Sequence, residues 1–169
     1  MPLKTSALAS EQHRHYQSHS FEQYAAGLFM ADGWEVFQPY LDHGRKTDLL
    51  ISDGHVFYRV QIKSLETTDE SVIVRNQWKN SNTKIDYVIY FSQKGNWGYI
   101  VKPFSRNQTR LNSAGGIRFH KHQKHFSQAF AKIWWKCKTS IRSNKIYKEA
   151  ATWDSIYLDQ RLQLASIKT

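Results

Sequence analysis

The stretch that most constrains this chain is Ser52-Asp53-Gly54-His55, set between Leu49-Leu50-Ile51 and Val56-Phe57-Tyr58. Asp-Gly between apolar runs is the strongest short-range hairpin signal, because a type I′ turn needs positive φ at both central residues. With Asp53-Gly54 as a two-residue loop, Ser52 pairs with His55, Leu50 with Phe57 and Asp48 with Arg59. Side chains alternate across a strand, so Asp48, Phe57, Arg59, Gln61 and Lys63 share one face, while Val56, Tyr58, Val60 and Ile62 fill the other. Asp48 becomes the diagonal neighbour of Gln61, within reach of one small cation.

Those residue types suit the hydrolysis of a phosphodiester. The reaction needs a hard cation to neutralise the phosphate and to lower the pKa of a bound water. Asp48 offers a carboxylate oxygen, Gln61 a neutral carbonyl oxygen and Ile62 its backbone carbonyl. Lys63 is a compact positive charge that can orient the attacking water or stabilise the pentacovalent phosphorus. Glu22, on an expected helix upstream, can complete the metal shell. The bland alternative is a half-exposed strand with a polar end. It leaves the aspartate on the same face unexplained.

The order Glu22, then Thr47-Asp48, then Gln61-Ile62-Lys63 resembles the PD-(D/E)XK nuclease signature in its rarer QxK form. That form is found in homing endonucleases of bacterial group I introns, and Holliday junction resolvases share the same core order. Ile85-Asp86-Tyr87-Val88-Ile89-Tyr90 and Trp97-Gly98-Tyr99-Ile100-Val101-Lys102-Pro103 add to the likeness, which covers residues 15–103. Thr47 stands where the family usually has proline, and Gln61 where it usually has an acid, which lowers the charge of the site. The resemblance implies a restriction-endonuclease-like α/β core, a mixed sheet flanked by helices. It also implies a magnesium-dependent endonuclease, with manganese as substitute, acting on double-stranded DNA as a homodimer or homotetramer.

Charge separates the chain into two halves. Residues 1–100 hold 10 Lys and Arg against 11 Asp and Glu, whereas residues 101–169 hold 14 against 3, with no acid from Val101 to Lys148. So one-sided an excess faces a polyanion, and nucleic acid fits better than a membrane surface, which would need a long apolar helix face. Arg106, Arg110, Arg118, Lys121 and Lys124 are the expected phosphate contacts. Arg45 and Lys46, in the loop leading to Asp48, either position a phosphate or form a plain surface turn. His120, His122 and His125 lie among lysines and suit phosphate better than zinc, because the lone Cys137 and a missing second cluster leave no ligand set.

The expected organisation is a polar tail over residues 1–15, a nuclease core over 16–103 and a basic helical extension over 104–169 for DNA binding and oligomerisation. Within it, Ser18 or Ser20 caps a helix that runs to Ala31 and stops at Gly33. Strands are expected over 34–38, 47–52, 55–63, 72–74, 85–91 and 97–101. Helices are expected over 123–136 and 147–158. A single cysteine excludes an internal disulfide and, with no signal-like segment and no membrane-length apolar run, points to the cytoplasm. No motif for a small-molecule cofactor is present. Two other readings stay open, a junction resolvase and a non-catalytic DNA-binding protein on a nuclease fold.

If the five basic residues lie on DNA, each neutralised phosphate contributes a slope of about −0.9 to log K against log salt. Replacing one with Ala should therefore make that slope shallower by about one unit. Binding titrations at several salt concentrations read the change.

Overall fold

The computed structural model describes residues 9–41, 46–78 and 84–142, with side chains through residue 134. Helix α1 spans Ser10–Ala31. It ends where the glycine predicts. Gly33 takes φ of +84°, its N–H bonds the Met30 carbonyl at 3.0 Å and Trp34 N–H bonds the Phe29 carbonyl at 3.0 Å. This is a Schellman closure, and the Phe29 and Trp34 rings supply its apolar contact at 6.5 Å. The start lies earlier than the serine caps suggest, at Ala9, so residues 10–15 are helical rather than a loose tail. Ser18 and Ser20 are interior: Ser20 Oγ donates back to the Gln17 carbonyl, and Ser18 Oγ bonds Ser64 Oγ.

The strands follow as β1 (Glu35–Phe37), β2 (Leu49–Ser52), β3 (Phe57–Leu65), β4 (Ile73–Arg75), β5 (Tyr87–Ser92), β6 (Trp97–Val101), β7 (Gln108–Arg110) and β8 (Ile117–His120). A short 3-10 turn, Leu111–Ser113, precedes β8, and helix α2 spans Gln123–Arg142. Six strands form one mixed sheet in the order β1-β2-β3-β5-β6-β8, while β4 and β7 make a separate two-stranded ribbon. Only β3 and β5 pair in parallel within the large sheet.

The β2–β3 hairpin forms with a wider loop than the Asp-Gly pair predicts. Ser52 pairs with Phe57, and Leu49 with Val60, so Asp53, Gly54, His55 and Val56 all lie in the loop. The cause is local. Asp53 Oδ1 accepts the N–H groups of both His55 and Val56, and Ser52 Oγ accepts that of Gly54, whose φ is +91°. The register therefore differs by two residues from the expected one. An even shift preserves the faces of the paired residues, while Asp48 lies just before β2 and is tied to β3 by its own backbone and carboxylate bonds. Val56 is the exception; it sits in the loop and is exposed rather than inside.

Alternation along β3 divides the sheet. Val60 and Ile62 join Leu49, Ile51, Tyr87, Ile89 and Ile100 under both helices, with Ala25 and Phe29 from α1 and Phe126 and Phe130 from α2. The opposite face is covered in part by the ribbon, where Val74, Trp78 and Leu111 pack on Val88, Tyr90, Tyr99 and Val101. Strands β7 and β8 escape sequence reading because Gln108-Thr109-Arg110 is wholly polar and Ile117-Arg118-Phe119-His120 is only four residues long. Met1–Ile133 makes one compact unit, and Trp134 opens a second whose described part is the end of α2. The helix expected over 147–158 lies outside the described residues. No helix among the described residues is long and apolar enough to cross a membrane.

Gly98 shows how tightly the helix-side core closes on β6. A Cβ there would come within 2.3 Å of the Phe119 ring and 2.8 Å of the Tyr90 carbonyl. The backbone carbonyl cannot swing aside, so Gly98→Ala should destabilise the protein by roughly 1–3 kcal/mol. Urea denaturation of the two proteins checks this.

Candidate active site

Asp48 reaches its place through the backbone of β3. Its N–H donates to the Val60 carbonyl at 3.0 Å, and its Oδ2 accepts the Ile62 N–H at 2.5 Å. One carboxylate oxygen thus continues the ladder one step past the last β2 pair and is held against the strand. Beside it, Thr47 is buried, and its Oγ1 accepts a hydrogen bond from Arg59 Nη1 at 3.2 Å. Arg59 is fixed in turn by Asp86, which bonds its N–H through Oδ2 and its carbonyl through the Asp86 N–H, both at 2.9 Å. Asp86 therefore locks the start of β5 to the strand that carries the site. Sequence reading had Asp86 only within a family likeness; its role as a register clamp needed the structure.

Gln61 is 2% exposed, and its Oε1 has no hydrogen-bond partner among the described residues. A buried carbonyl left unpaired costs about 1–3 kcal/mol. Next to Gln61 along β3, Ile62 N–H holds the Asp48 carboxylate, and a carboxylate with a carbonyl oxygen suits a hard divalent cation. In a strand, the N–H and C=O of one residue point to the same edge. The Ile62 carbonyl thus faces the Asp48 side, beyond the end of the β2 ladder. Lys63 is half-buried on the same face as Gln61, next to Tyr90 in the parallel register, and makes no ion pair among the described residues.

Asp48, Gln61, Ile62 and Lys63 are therefore brought together. Glu22 is not joined to them by any hydrogen bond among the described residues. It is half-buried on α1, and its Oε2 is bonded at 2.7 Å by Nδ1 of His19 on its own helix. No group of three or more His, Cys, Asp or Glu among the described residues could hold a metal ion. A cation here would rest on one carboxylate and neutral oxygens.

The basic residues divide into engaged and open. Arg118 holds Glu70 through Nε and Nη2 at 2.8–2.9 Å, and Tyr99 donates to the same carboxylate at 2.7 Å. The Arg118 guanidinium keeps the Glu70 carboxyl below its ordinary range. Lys121 Nζ donates to the Ser92 carbonyl at 3.0 Å and lies over the Phe21 ring, and burial lowers its pKa. Arg106, Arg110 and Lys124 are exposed. Lys46 Nζ donates to the Gln77 carbonyl, and Arg45 lies outside the described residues. Two surface hollows do not include Asp48 in their lining: one between β8 and α2 is lined by His120, His125 and Lys132, another by Phe21, Tyr24 and Lys121.

A model of the PD-(D/E)XK endonuclease family matches residues 12–96, half of the chain, and this span holds every one of the strand-borne site residues. The chain belongs to the PD-(D/E)XK endonuclease family. Among solved structures, the bacterial homing endonuclease I-Ssp6803I is similar, with a TM-score of 0.44 and 20% identity over 62% of this chain and 71% of that one. No curated protein matches the chain. The mixed sheet flanked by helices is the α/β core that this endonuclease family implies.

The unpaired Gln61 oxygen gives the endonuclease a stability signature. Methionine is close to glutamine in length and has no strong polar group to strand. In metal-free buffer, Gln61→Met should raise stability by about 1–3 kcal/mol. Chemical denaturation with a chelator present measures it, and an unchanged midpoint would mean that the oxygen is solvated.

Proposed function

We propose that this endonuclease-family protein is a magnesium-dependent, site-specific endonuclease that hydrolyses double-stranded DNA, of the homing type. The observation that carries the proposal is the buried Gln61 Oε1, unpartnered among the described residues, beside Ile62, whose N–H clamps the Asp48 carboxylate. The homing reading rests on the Gln61-Ile62-Lys63 pattern in place of the commoner acid. Manganese is the expected substitute metal.

Asp48, Gln61 and the Ile62 carbonyl would hold the cation, with Glu22 as a further ligand once its side chain turns from His19. When bound, a divalent cation supplies charge neutralisation at the scissile phosphate and a more acidic water. The chain's own residues do the rest. Hydrolysis puts a water oxygen on phosphorus while one P–O ester bond opens and the leaving oxygen takes up a proton. Lys63 lies where its ammonium can orient that water and balance the negative charge growing on the phosphoryl oxygens. The clamp on Asp48 removes the freedom of its carboxylate, so little reorganisation remains at the moment of reaction.

Cutting both strands takes two such sites related by the two-fold symmetry of the duplex, so a homodimer is the minimum and a homotetramer the larger form. Trp134, Trp135 and Trp153 are the aromatic candidates for the contact; the Trp135 side chain and the whole of Trp153 lie outside the described residues. Arg106, Arg110 and Lys124 are the exposed candidates for phosphate contacts, and the internal bonds of Arg118 and Lys121 make their share smaller.

The non-catalytic reading draws on a specific observation, the single carboxylate in the strand cluster with Glu22 turned to His19. Activity decides between the two. With magnesium, the wild-type protein should linearise a plasmid that carries its target site, while Asp48→Ala and Lys63→Ala should abolish cleavage and leave DNA binding largely intact. Gln61→Glu should keep measurable activity, and Gln61→Ala should lose most of the rate. Wild-type cleavage by either Asp48→Ala or Lys63→Ala would remove the assignment. A preference for four-way over linear DNA would favour a junction resolvase.

A further inference from the structure

We infer that the β4–β7 ribbon is the part of the molecule that reads DNA sequence, by entering the major groove beside the catalytic face. The inference rests on the endonuclease reading and adds the element that selects the site. The ribbon pairs Ile73 with Arg110, Val74 with Thr109 and Arg75 with Gln108. Alternation sends Val74 inward, where it is 4% exposed in the core beneath. The other two pairs point outward, and Ile73, Arg75, Gln108 and Arg110 are all exposed.

Their chemistry is that of base edges. Arginine bonds guanine O6 and N7 in bidentate fashion, glutamine bonds adenine N6 and N7, and an aliphatic side chain meets the thymine methyl. Two strands lie about 4.8 Å apart, and a ribbon of that width enters a major groove about 12 Å wide. Two arginines on a four-residue face also complement a polyanion, and Ile73, 57% exposed, stands with them on that face.

The ribbon is rigid and adjoins the site. A lone two-stranded ribbon is marginal in water. This one is fastened by Trp78, Leu111 and Val74 in the core, by Asn76 N–H to the Asn107 carbonyl at 2.8 Å and by Leu111 N–H to the Val72 carbonyl at 3.0 Å. Leu65, two residues beyond Lys63 on the same face of β3, packs against that core, about 7 Å along the strand. At the other end, Lys46, two residues before Asp48, donates to the Gln77 carbonyl just past β4. The strand and the loop that carry the candidate active site therefore both touch the ribbon's support.

The test is binding selection and cleavage mapping on a random-sequence duplex library, with wild type, Arg75→Lys, Arg110→Lys and Gln108→Ala. Lysine keeps the charge and loses the bidentate fork. Each variant should lose about 5- to 150-fold of its preference at one or two base pairs. The lysine variants should do so while keeping the salt slope of wild type. If wild type selects a site and all three variants select the same one, the ribbon does not read bases and the endonuclease reading stands. If wild type cuts without preference, the ribbon inference is wrong. If wild type neither binds nor cuts duplex DNA, both readings fall. All the substituted side chains are exposed, and circular dichroism confirms that each variant is folded.

Discussion

Everything in this protein is arranged around β3 and the strict alternation of its side chains. Val60 and Ile62 are buried beneath α1 and α2, and Gln61 and Lys63, between and after them, face the other way. The strand pairs antiparallel with β2 on one edge and parallel with β5 on the other, so its backbone is committed on both sides. A slip by one residue would put Gln61 into the helix-side core and expose Val60. The apolar residues that stabilise the fold are thus the same ones that aim the polar residues. Stability and site geometry share one register.

That coupling explains how much of the fold and site is legible in the sequence. The common face of Gln61 and Lys63 follows from period-two patterning along β3, whereas Asp48, just outside β2, is placed by backbone bonds that no alternation rule foresees. The Asp53-Gly54 turn is misjudged in size because its own side chain competes for loop N–H groups, an effect no propensity rule weighs. The helix end at Gly33 is readable because only a residue without Cβ takes that φ cheaply. Its start is not, because Ser18 and Ser20 look like caps and instead bond back into the helix or across to β3. The basic half is readable as charge, and its assignment to individual residues is not. Glu70 lies 48 residues before Arg118, and no local pattern announces that pair.

The electrostatics of the proposed metal site are sparse. One clamped carboxylate and neutral oxygens stand where the family usually has two acids, so binding of a cation gains less through charge and more through preorganisation. The Ile62 N–H supplies part of that preorganisation by fixing the direction of the Asp48 carboxylate. Asp86 and Thr47 extend it by fixing Arg59 and the segment that enters Asp48. On the proposed reading, a bound cation would satisfy Gln61 Oε1, which is buried and has no hydrogen-bond partner among the described residues.

Parallel pairing of β3 with β5 forces a long excursion, because two strands running the same way cannot be joined by a tight turn. The excursion here leaves at Leu65, returns at Tyr87 and carries β4 on the way. Its length is slack that the ladder never feels. Insertions and substitutions within it add little closure entropy, of the order of 0.6 kcal/mol for each doubling of a loop. The surface presented by β4 can therefore diverge between related proteins while Asp48, Gln61 and Lys63 stay in step, so target preference and chemistry can evolve on separate clocks.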